Sequence, residues 1–332
     1  AASDVYKRQP QDEVNTADLA VSESEKNTSA SLIKGVAAGF KNSGLKVGGF
    51  KAYTTSNVLK GSGVSSSAAF EVLIGTILSG LYNGGSVSAV KIAQIAQYAE
   101  NVYFGKPSGL MDQMASSVGG FITIDFKDTE NPLISSIEYD FAHSGYSLCL
   151  VDTKGSHADL TPDYAARPAE MKAAAAVFGK IVLREVDEAD FRNNIGLVRE
   201  KCGDRAVLRA LHFFDENKRV DAAAVSLKCK DIEGFLDVIK ASGNSSYKYL
   251  QNVYSVSKPA EQGMALGLYT AEYVLKGKGA SRVHGGGFAG TIQAFVPNDM
   301  LNEFVRAEEA VFGKGSCHCL YIRPVGGTEV TE

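Results

Sequence analysis

The chain has 332 residues, of which 45% are hydrophobic and 22% are charged, an ordinary composition for a soluble globular protein. Its length predicts two domains or one large domain. The net charge of −4 argues against nucleic acid as a partner, because proteins that bind a phosphate backbone need a basic face. The sequence has no apolar run near the ~18–20 residues that cross a bilayer and no signal peptide, so we expect no membrane partner. Five widely spaced cysteines fit a reducing cytoplasm, which is the location we predict.

The N-terminal part of the chain contains little regular pattern before its first helix. Residues 1–10 fit no periodicity and read as an appended tail. After a short acidic connector, Thr28 leads a predicted helix that has Leu32 and Phe40 on its apolar side. Residues 48–55 are predicted to form a strand.

The most informative segment is the nine-residue string that begins at Gly61 and ends at Ala69. Two glycines allow a tight loop, three serines follow, and the spacing of apolar residues predicts a helix from Ala69 to Leu81. A helix N-terminus presents unpaired N–H groups and a partial positive charge, so such a loop can cradle phosphate oxygens. A serine that simply caps a helix after a glycine turn is the alternative. The candidate phosphate-binding residues are Gly61, Ser62, Gly63, Val64, Ser65, Ser66 and Ser67.

Two carboxylates follow in the next part of the chain. A helix that runs from Ile92 to Tyr103 carries Glu100, which by itself reads as a solvated helix residue. Asp112 follows a Pro-Ser-Gly turn at a predicted helix start, where the helix dipole would stabilise a carboxylate. Phosphoryl transfer needs a group that orients or deprotonates the attacking hydroxyl, and a carboxylate can do this. Asp112 is therefore a candidate catalytic base, with a dipole-stabilised aspartate as the alternative.

The remaining elements predict an α+β arrangement without internal repeats. The alternation in Cys317-His318-Cys319 places both cysteines on one face of a strand, so we predict no zinc site there. A glycine-rich loop before the penultimate strand could be a simple hairpin turn. The chain is predicted to be helix-rich over residues 162–275 and to form strands at 121–126, 147–152, 281–284, 291–296 and 317–323, with a helix between the last two.

Four segments resemble motifs of one enzyme family. The string from Gly61 to Ala69 resembles the phosphate-binding motif of the GHMP small-molecule kinases. Gly109-Leu110-Met111-Asp112-Gln113 resembles the Gly-Ile-Met-Asp-Gln segment of the galactokinases, and Ala99-Glu100-Asn101 resembles their Ala-Glu-Asn/His segment. The loop at residues 283–290 resembles the third GHMP motif, which closes beside the triphosphate. The motifs occur in the family's order, and the resemblance covers nearly the whole chain from about residue 14.

This resemblance implies an activity and a set of site residues. The implied reaction is the ATP-dependent phosphorylation of galactose at its anomeric hydroxyl to galactose 1-phosphate, by an enzyme that is a monomer, with a dimer left open. ATP is the implied cosubstrate, galactose the other small-molecule partner, and Mg²⁺ the cofactor. By resemblance, Asp112 is the catalytic base, Ser67 and Glu100 hold Mg²⁺, Gly109, Asp112 and Tyr254 contact the sugar, and Gly285, Gly286 and Gly287 form the third motif.

The implied architecture is the α+β GHMP kinase fold. It places a ribosomal protein S5 domain 2-like N-terminal domain at residues 11–160 and a ferredoxin-like α+β domain at residues 161–332, with the site in the cleft between them. Galactokinases begin with a Gly-Arg-Val-Asn-Leu-Ile-Gly-Glu-His-x-Asp segment that this sequence lacks, which we interpret as an N-terminal truncation. The alternatives are a GHMP kinase for another sugar, a non-catalytic sugar-sensing homologue, and an inactive fragment.

Overall fold

The computed structural model describes residues 12–56, 65–128, 130–155 and 160–330, so the tail at residues 1–10 lies outside the described residues. The described chain divides into two compact units. One contains the residues up to Ile122 together with those from Arg323 onward, and the other is Thr123–Ile322. The strand predicted at residues 147–152 pairs with strands of the second unit. The compact units therefore divide near residue 122, whereas we had expected a boundary at residue 160.

The first unit is mainly helical in its described part. Thr28 caps the first helix as predicted, because its side-chain oxygen accepts a hydrogen bond from the Ser31 N–H (3.2 Å). Phe40, Val72 and Ile95, from three different helices, pack in one buried cluster. The helices are α1 (Ser29–Asn42), α2 (Ser66–Asn83), α3 (Ala89–Tyr98) and α4 (Met111–Val118), and a π-helix at Ala99–Phe104 continues α3.

The strand predicted at residues 48–55 is wrong, since this segment is neither helix nor strand. A strand needs a neighbour to pair with its N–H and C=O groups, and no described strand pairs with this segment. Side chains of α2 hydrogen-bond the backbone at and just before this segment instead. The Asn83 side chain hydrogen-bonds both the N–H (3.0 Å) and the C=O (2.9 Å) of Lys46, and the Tyr82 hydroxyl donates to the Gly49 carbonyl.

The strands form a small ribbon and a larger sheet. The ribbon pairs β1 (Phe121–Asp125), which was predicted, with β2 (Leu133–Ile137), which was not. The larger sheet is antiparallel throughout and has the order β4-β5-β3-β6. Counted along the chain within this sheet, the order is 2-3-1-4, which is the ferredoxin-like arrangement that we predicted. Its strands are β3 (Tyr146–Asp152), β4 (Ala280–Val283), β5 (Thr291–Pro297) and β6 (Cys317–Leu320).

Helices cover this sheet and confirm the predicted helix-rich segment. Val151 and Ile292 of the sheet pack against Ala271 and Phe304 in one buried cluster. Among the described residues, no helix combines the length and the apolar character that a membrane crossing requires. The helices are α5 (Thr161–Ala176), α6 (Glu188–Asn193), α7 (Ile195–Cys202), α8 (Asp204–Lys228), α9 (Ile232–Ser245), α10 (Gly263–Leu275) and α11 (Leu301–Phe312), and a π-helix at Ser246–Leu250 continues α9.

One buried carboxyl in the second unit makes its stability depend on pH. Glu308 on α11 is 0% exposed, and neither of its carboxyl oxygens has a hydrogen-bond partner among the described residues. Burial raises the pKa of Glu308 from 4.5 to about 8. The folded protein therefore binds this proton in a pH range where the unfolded chain has released it. Its stability must fall as the pH rises from about 4.5 to about 8.

Replacing Glu308 with Leu is expected to remove this part of the pH dependence. A single shifted carboxyl changes the free energy of unfolding by up to about 1.4 kcal/mol per pH unit, and leucine binds no proton. Urea unfolding at pH 5, 6, 7 and 8 would show a smaller decline for Glu308→Leu than for the wild type. Glu303→Leu, at an exposed position of the same helix, is the control that should keep the wild-type slope. Parallel pH profiles for wild type and Glu308→Leu would contradict the assignment.

Candidate active site

The structure describes the predicted phosphate loop only from Ser65 onward. Gly61, Ser62, Gly63 and Val64 lie outside the described residues. Ser65 occupies the N-cap position of α2 in a left-handed conformation (φ 55°, ψ 54°), and its side chain does not cap the helix. Its hydroxyl donates to the Asp112 carboxylate instead. The ordinary N-cap serine is therefore not what the structure contains, and the first N–H groups of α2 have no side-chain cap from Ser65.

Ser67, two residues further along α2, contacts the second carboxylate. Its hydroxyl donates to Glu100 Oε1 at 2.7 Å, and the Lys106 ammonium approaches the same oxygen at 2.9 Å. Glu100 lies in the π-helix and is 2% exposed, so the expectation of a solvated residue is wrong. A π-turn widens the helix locally and is frequent at functional sites.

The Glu100 carboxyl is charged in spite of its burial. Burial alone would raise the pKa of Glu100. Hydrogen bonds from Ser108, Lys106 and Ser67 outweigh this effect and hold the pKa below its ordinary value. The site therefore contains a buried carboxylate beside a hydroxyl, and both are hard oxygen donors.

Two further polar side chains lie behind Glu100, and neither was singled out from the sequence. Gln113 Nε2 donates to Glu100 Oε2 at 2.8 Å and to Glu71 Oε2 at 3.2 Å. Glu71 and Gln113 are both 0% exposed. Burial, and then repulsion from Glu100, raises the pKa of Glu71 from 4.5 to about 8. One signal in the sequence could have identified Glu71: it lies among the apolar residues of α2, where a charged side chain is not expected.

Asp112 lies in the first turn of α4, as predicted, with its side chain exposed. Gly109 is an exposed loop residue shortly before this helix. The structure thus brings Asp112 against Ser65 and Glu100 against Ser67, so both carboxylates meet the same short stretch of chain at the start of α2.

The third predicted motif is a hairpin loop of the second unit. The His284 N–H donates to the Thr291 carbonyl (3.0 Å), which closes the loop between β4 and β5. Gly285 and Gly287 have φ values of 67° and 85°, which favour glycine. Packing also holds the loop, because Asn252 Nδ2 donates to the Gly286 carbonyl (3.2 Å) and the Phe288 N–H donates to the Asn252 carbonyl (2.6 Å).

An arginine beside this loop also escaped the sequence analysis. The Arg167 guanidinium carbon lies 5.6 Å from the centre of the Tyr164 ring and 5.5 Å from that of Phe288. The Tyr164 hydroxyl donates to the Gly287 carbonyl (2.7 Å), so the residue whose ring lies against Arg167 also holds the loop. Arg167 Nε is buried without a hydrogen-bond partner among the described residues. Tyr254, the predicted sugar contact, follows Asn252 by two residues, and its ring lies 6.4 Å from that of Tyr247.

Comparison with known proteins finds one family in sequence and a shared fold among solved structures. Residues 31–120 match the model of the GHMP kinases N-terminal domain. The galactokinase of Streptomyces coelicolor is 31% identical over 302 residues, which are 90% of this chain and 74% of that protein. The galactokinase of Clostridium acetobutylicum is 30% identical over 87% of this chain and 72% of its own length, and that of Actinobacillus pleuropneumoniae is 31% identical over 76% and 62%.

Solved structures of two GHMP kinases share the fold of this chain. The crystal structure of Lactococcus lactis galactokinase complexed with galactose has a TM-score of 0.68 and 23% identity, covering 90% of this chain and 76% of that one. Phosphomevalonate kinase from Streptococcus pneumoniae shares the fold more distantly, with a TM-score of 0.55 and 13% identity. These similarities confirm the predicted α+β GHMP kinase fold.

The glycine-rich loop yields a test in which two neighbouring glycines act as a matched pair. A Cβ at Gly287 would overlap Asn252, whereas a Cβ at Gly285 would meet no described atom within 4 Å. Both substitutions to alanine strain a positive φ, but only Gly287→Ala must also displace Asn252. We expect Gly287→Ala to lose about 1–3 kcal/mol more stability than Gly285→Ala in urea unfolding. Equal losses would mean that the loop does not depend on its contact with Asn252.

Proposed function

Because this chain belongs to the galactokinase family of GHMP kinases, we propose that it transfers the terminal phosphoryl group of ATP to the anomeric hydroxyl of galactose. The products are ADP and galactose 1-phosphate. The observation that carries this proposal is the pair of contacts at the start of α2, Ser67 with Glu100 and Ser65 with Asp112. They bring two carboxylates with different surroundings to one helix start, where the phosphates of ATP are proposed to bind.

Asp112 is proposed to orient the substrate hydroxyl and to accept its proton. Its carboxylate is exposed, as contact with a sugar requires, and it lies in the first turn of α4. Ser65 donates a hydrogen bond that fixes one carboxylate oxygen. A positioned base of this kind contributes ~10²–10⁴-fold to the rate.

The phosphates of ATP are proposed to lie at the N-terminus of α2, bound by Gly61, Ser62, Gly63, Val64, Ser65, Ser66 and Ser67. The helix start offers N–H groups and partial positive charge there. Because the Ser65 hydroxyl is engaged by Asp112, it does not compete for these N–H groups.

Ser67 and Glu100 are proposed to hold Mg²⁺, and their chemistry fits the ion. Both are oxygen donors, which Mg²⁺ prefers, and the ion commonly takes one or two protein ligands together with substrate phosphates. The Lys106 ammonium, 2.9 Å from Glu100, is a cation already attracted to this position. When bound, Mg²⁺ neutralises charge on the transferring phosphoryl group.

The remaining residues of the proposal come from the family resemblance. Gly109 and Tyr254 are proposed to contact the sugar, together with Asp112. Gly285, Gly286 and Gly287 are proposed to act on the triphosphate, and the unpaired Nε of the neighbouring Arg167 supports an anionic ligand near this loop. We further propose a cytoplasmic monomer whose partners are galactose and ATP, without nucleic acid or membrane.

The proposed function is tested by incubating the purified chain with ATP, MgCl₂ and one of several acceptors. With galactose as the acceptor, the reaction should release ADP and give a sugar 1-phosphate signal in ³¹P NMR. With glucose, mevalonate or homoserine it should not. Phosphorylation of another acceptor in preference to galactose would indicate a different GHMP kinase. Galactose binding in calorimetry without ADP release would indicate a non-catalytic homologue.

Asp112→Asn is expected to lower kcat by ~10²–10⁴-fold while ATP binding is retained, because the amide keeps the shape but cannot accept the proton. A coupled ADP assay gives kcat, and calorimetry gives the dissociation constant for ATP. Asp221→Asn, at an exposed position of α8, is the control and should turn over at the wild-type rate. A kcat for Asp112→Asn within threefold of the wild type would remove Asp112 from the catalytic role.

A further inference from the structure

A buried hydrogen-bonded chain runs behind the proposed metal ligand. Glu100 Oε1 receives hydrogen bonds from Ser67 and Lys106, and its other oxygen receives one from Gln113 (2.8 Å). The Gln113 amide then reaches Glu71 at 3.2 Å. The side chains of Gln113 and Glu71 are completely buried, so they cannot touch a substrate.

The chemistry of this chain suits a bridge between two acids. A primary amide nitrogen carries two protons, and Gln113 directs one to each carboxyl group. One oxygen of Gln113 and one of Glu71 are buried without a hydrogen-bond partner among the described residues. Two side chains in contact thus each have an unused acceptor, and a proton on Glu71 would supply the missing donor. A neutral Glu71 therefore fits the arrangement better than a second buried charge.

We propose that Gln113 and Glu71 are positioning residues that fix the Glu100 carboxylate for metal binding. Gln113 holds Glu100 Oε2, which leaves Oε1 directed toward Ser67, and Glu71 holds Gln113 from behind. Because Gln113 neighbours Asp112 on α4, the same bridge ties the helix of the proposed base to the proposed metal ligand. This inference rests on the proposed function, in which Glu100 and Ser67 bind Mg²⁺.

The test measures metal binding directly, with Mn²⁺ as the probe. Electron paramagnetic resonance gives the dissociation constant of Mn²⁺ for the chain saturated with ADP. Gln113→Met, which keeps the length but removes the donors, should weaken Mn²⁺ binding by about 10–100-fold, as is typical for residues that orient a ligand. Gln113→Asn, which shortens the amide's reach, is the second variant and should weaken it in the same direction.

Glu71 variants separate orientation from packing. Glu71→Gln keeps an uncharged group with both donor and acceptor, and should bind Mn²⁺ within threefold of the wild type. Glu71→Met removes the hydrogen bonds and should weaken binding several-fold. Ser117→Ala is the matched control, because Ser117 also tethers α4, through a 2.7 Å bond to the Ala89 carbonyl. It should lower the melting temperature and leave the Mn²⁺ dissociation constant unchanged.

Glu100→Gln separates the metal assignment of Glu100 from the positioning role of Gln113 and Glu71. If Glu100→Gln weakens Mn²⁺ binding and neither Gln113 variant does, the positioning role is overturned and the metal assignment stands. If Glu100→Gln has no effect, or if the wild type binds no Mn²⁺ with ADP, the metal assignment of the proposed function is overturned and the positioning role with it. A Ser117→Ala effect as large as that of Gln113→Met would reduce Gln113 to a structural tether and overturn the inference.

Discussion

A charged carboxylate can be buried only where donors surround it, and this requirement at Glu100 organises the first unit. The donors come from separate segments, namely Ser67 at the start of α2, Lys106 after the π-helix and Gln113 on α4. Each donor fixes the end of one element against the others. The hydrogen bonds that allow the Glu100 charge to be buried therefore also hold these elements together.

The second unit meets a similar requirement with backbone groups. Its hairpin loop turns through positive φ values at Gly285 and Gly287, so the backbone itself forms the surface and side chains from other segments hold it. The Asn252 side chain and the Tyr164 hydroxyl donate hydrogen bonds to carbonyls of this loop, and the Asn252 carbonyl accepts one from its Phe288 N–H. The ferredoxin-like sheet supplies the rigid strands from which the loop projects. In both units, groups of candidate function lie at the ends of regular elements, and polar side chains from distant parts of the sequence fix them.

The sequence predicted the features that local patterns determine. It missed those that depend on contacts between residues distant along the chain. Helical spacing predicted α2, and the Pro-Ser-Gly turn predicted the start of α4 with Asp112 in its first turn. The strand at residues 48–55 was wrong because its composition favours a strand while pairing depends on a neighbour that local sequence does not supply. Glu100 read as solvated because its burial depends on donors from other parts of the chain, and Gln113, although part of a quoted motif, was given no role for the same reason. The resemblance to the galactokinases supplied the roles that no local pattern could.

The π-helix at Ala99–Phe104 limits how the chain can change in length during evolution. Its hydrogen bonds span five residues where those of an α-helix span four, so this turn holds one additional residue. Deleting a single residue would restore the α-helix and rotate the following segment by about 100° about the axis. Lys106 and the loop leading to α4 would then leave their places beside Glu100. We therefore expect homologous chains to tolerate amino-acid replacements on the exposed side of this turn but not insertions or deletions within it.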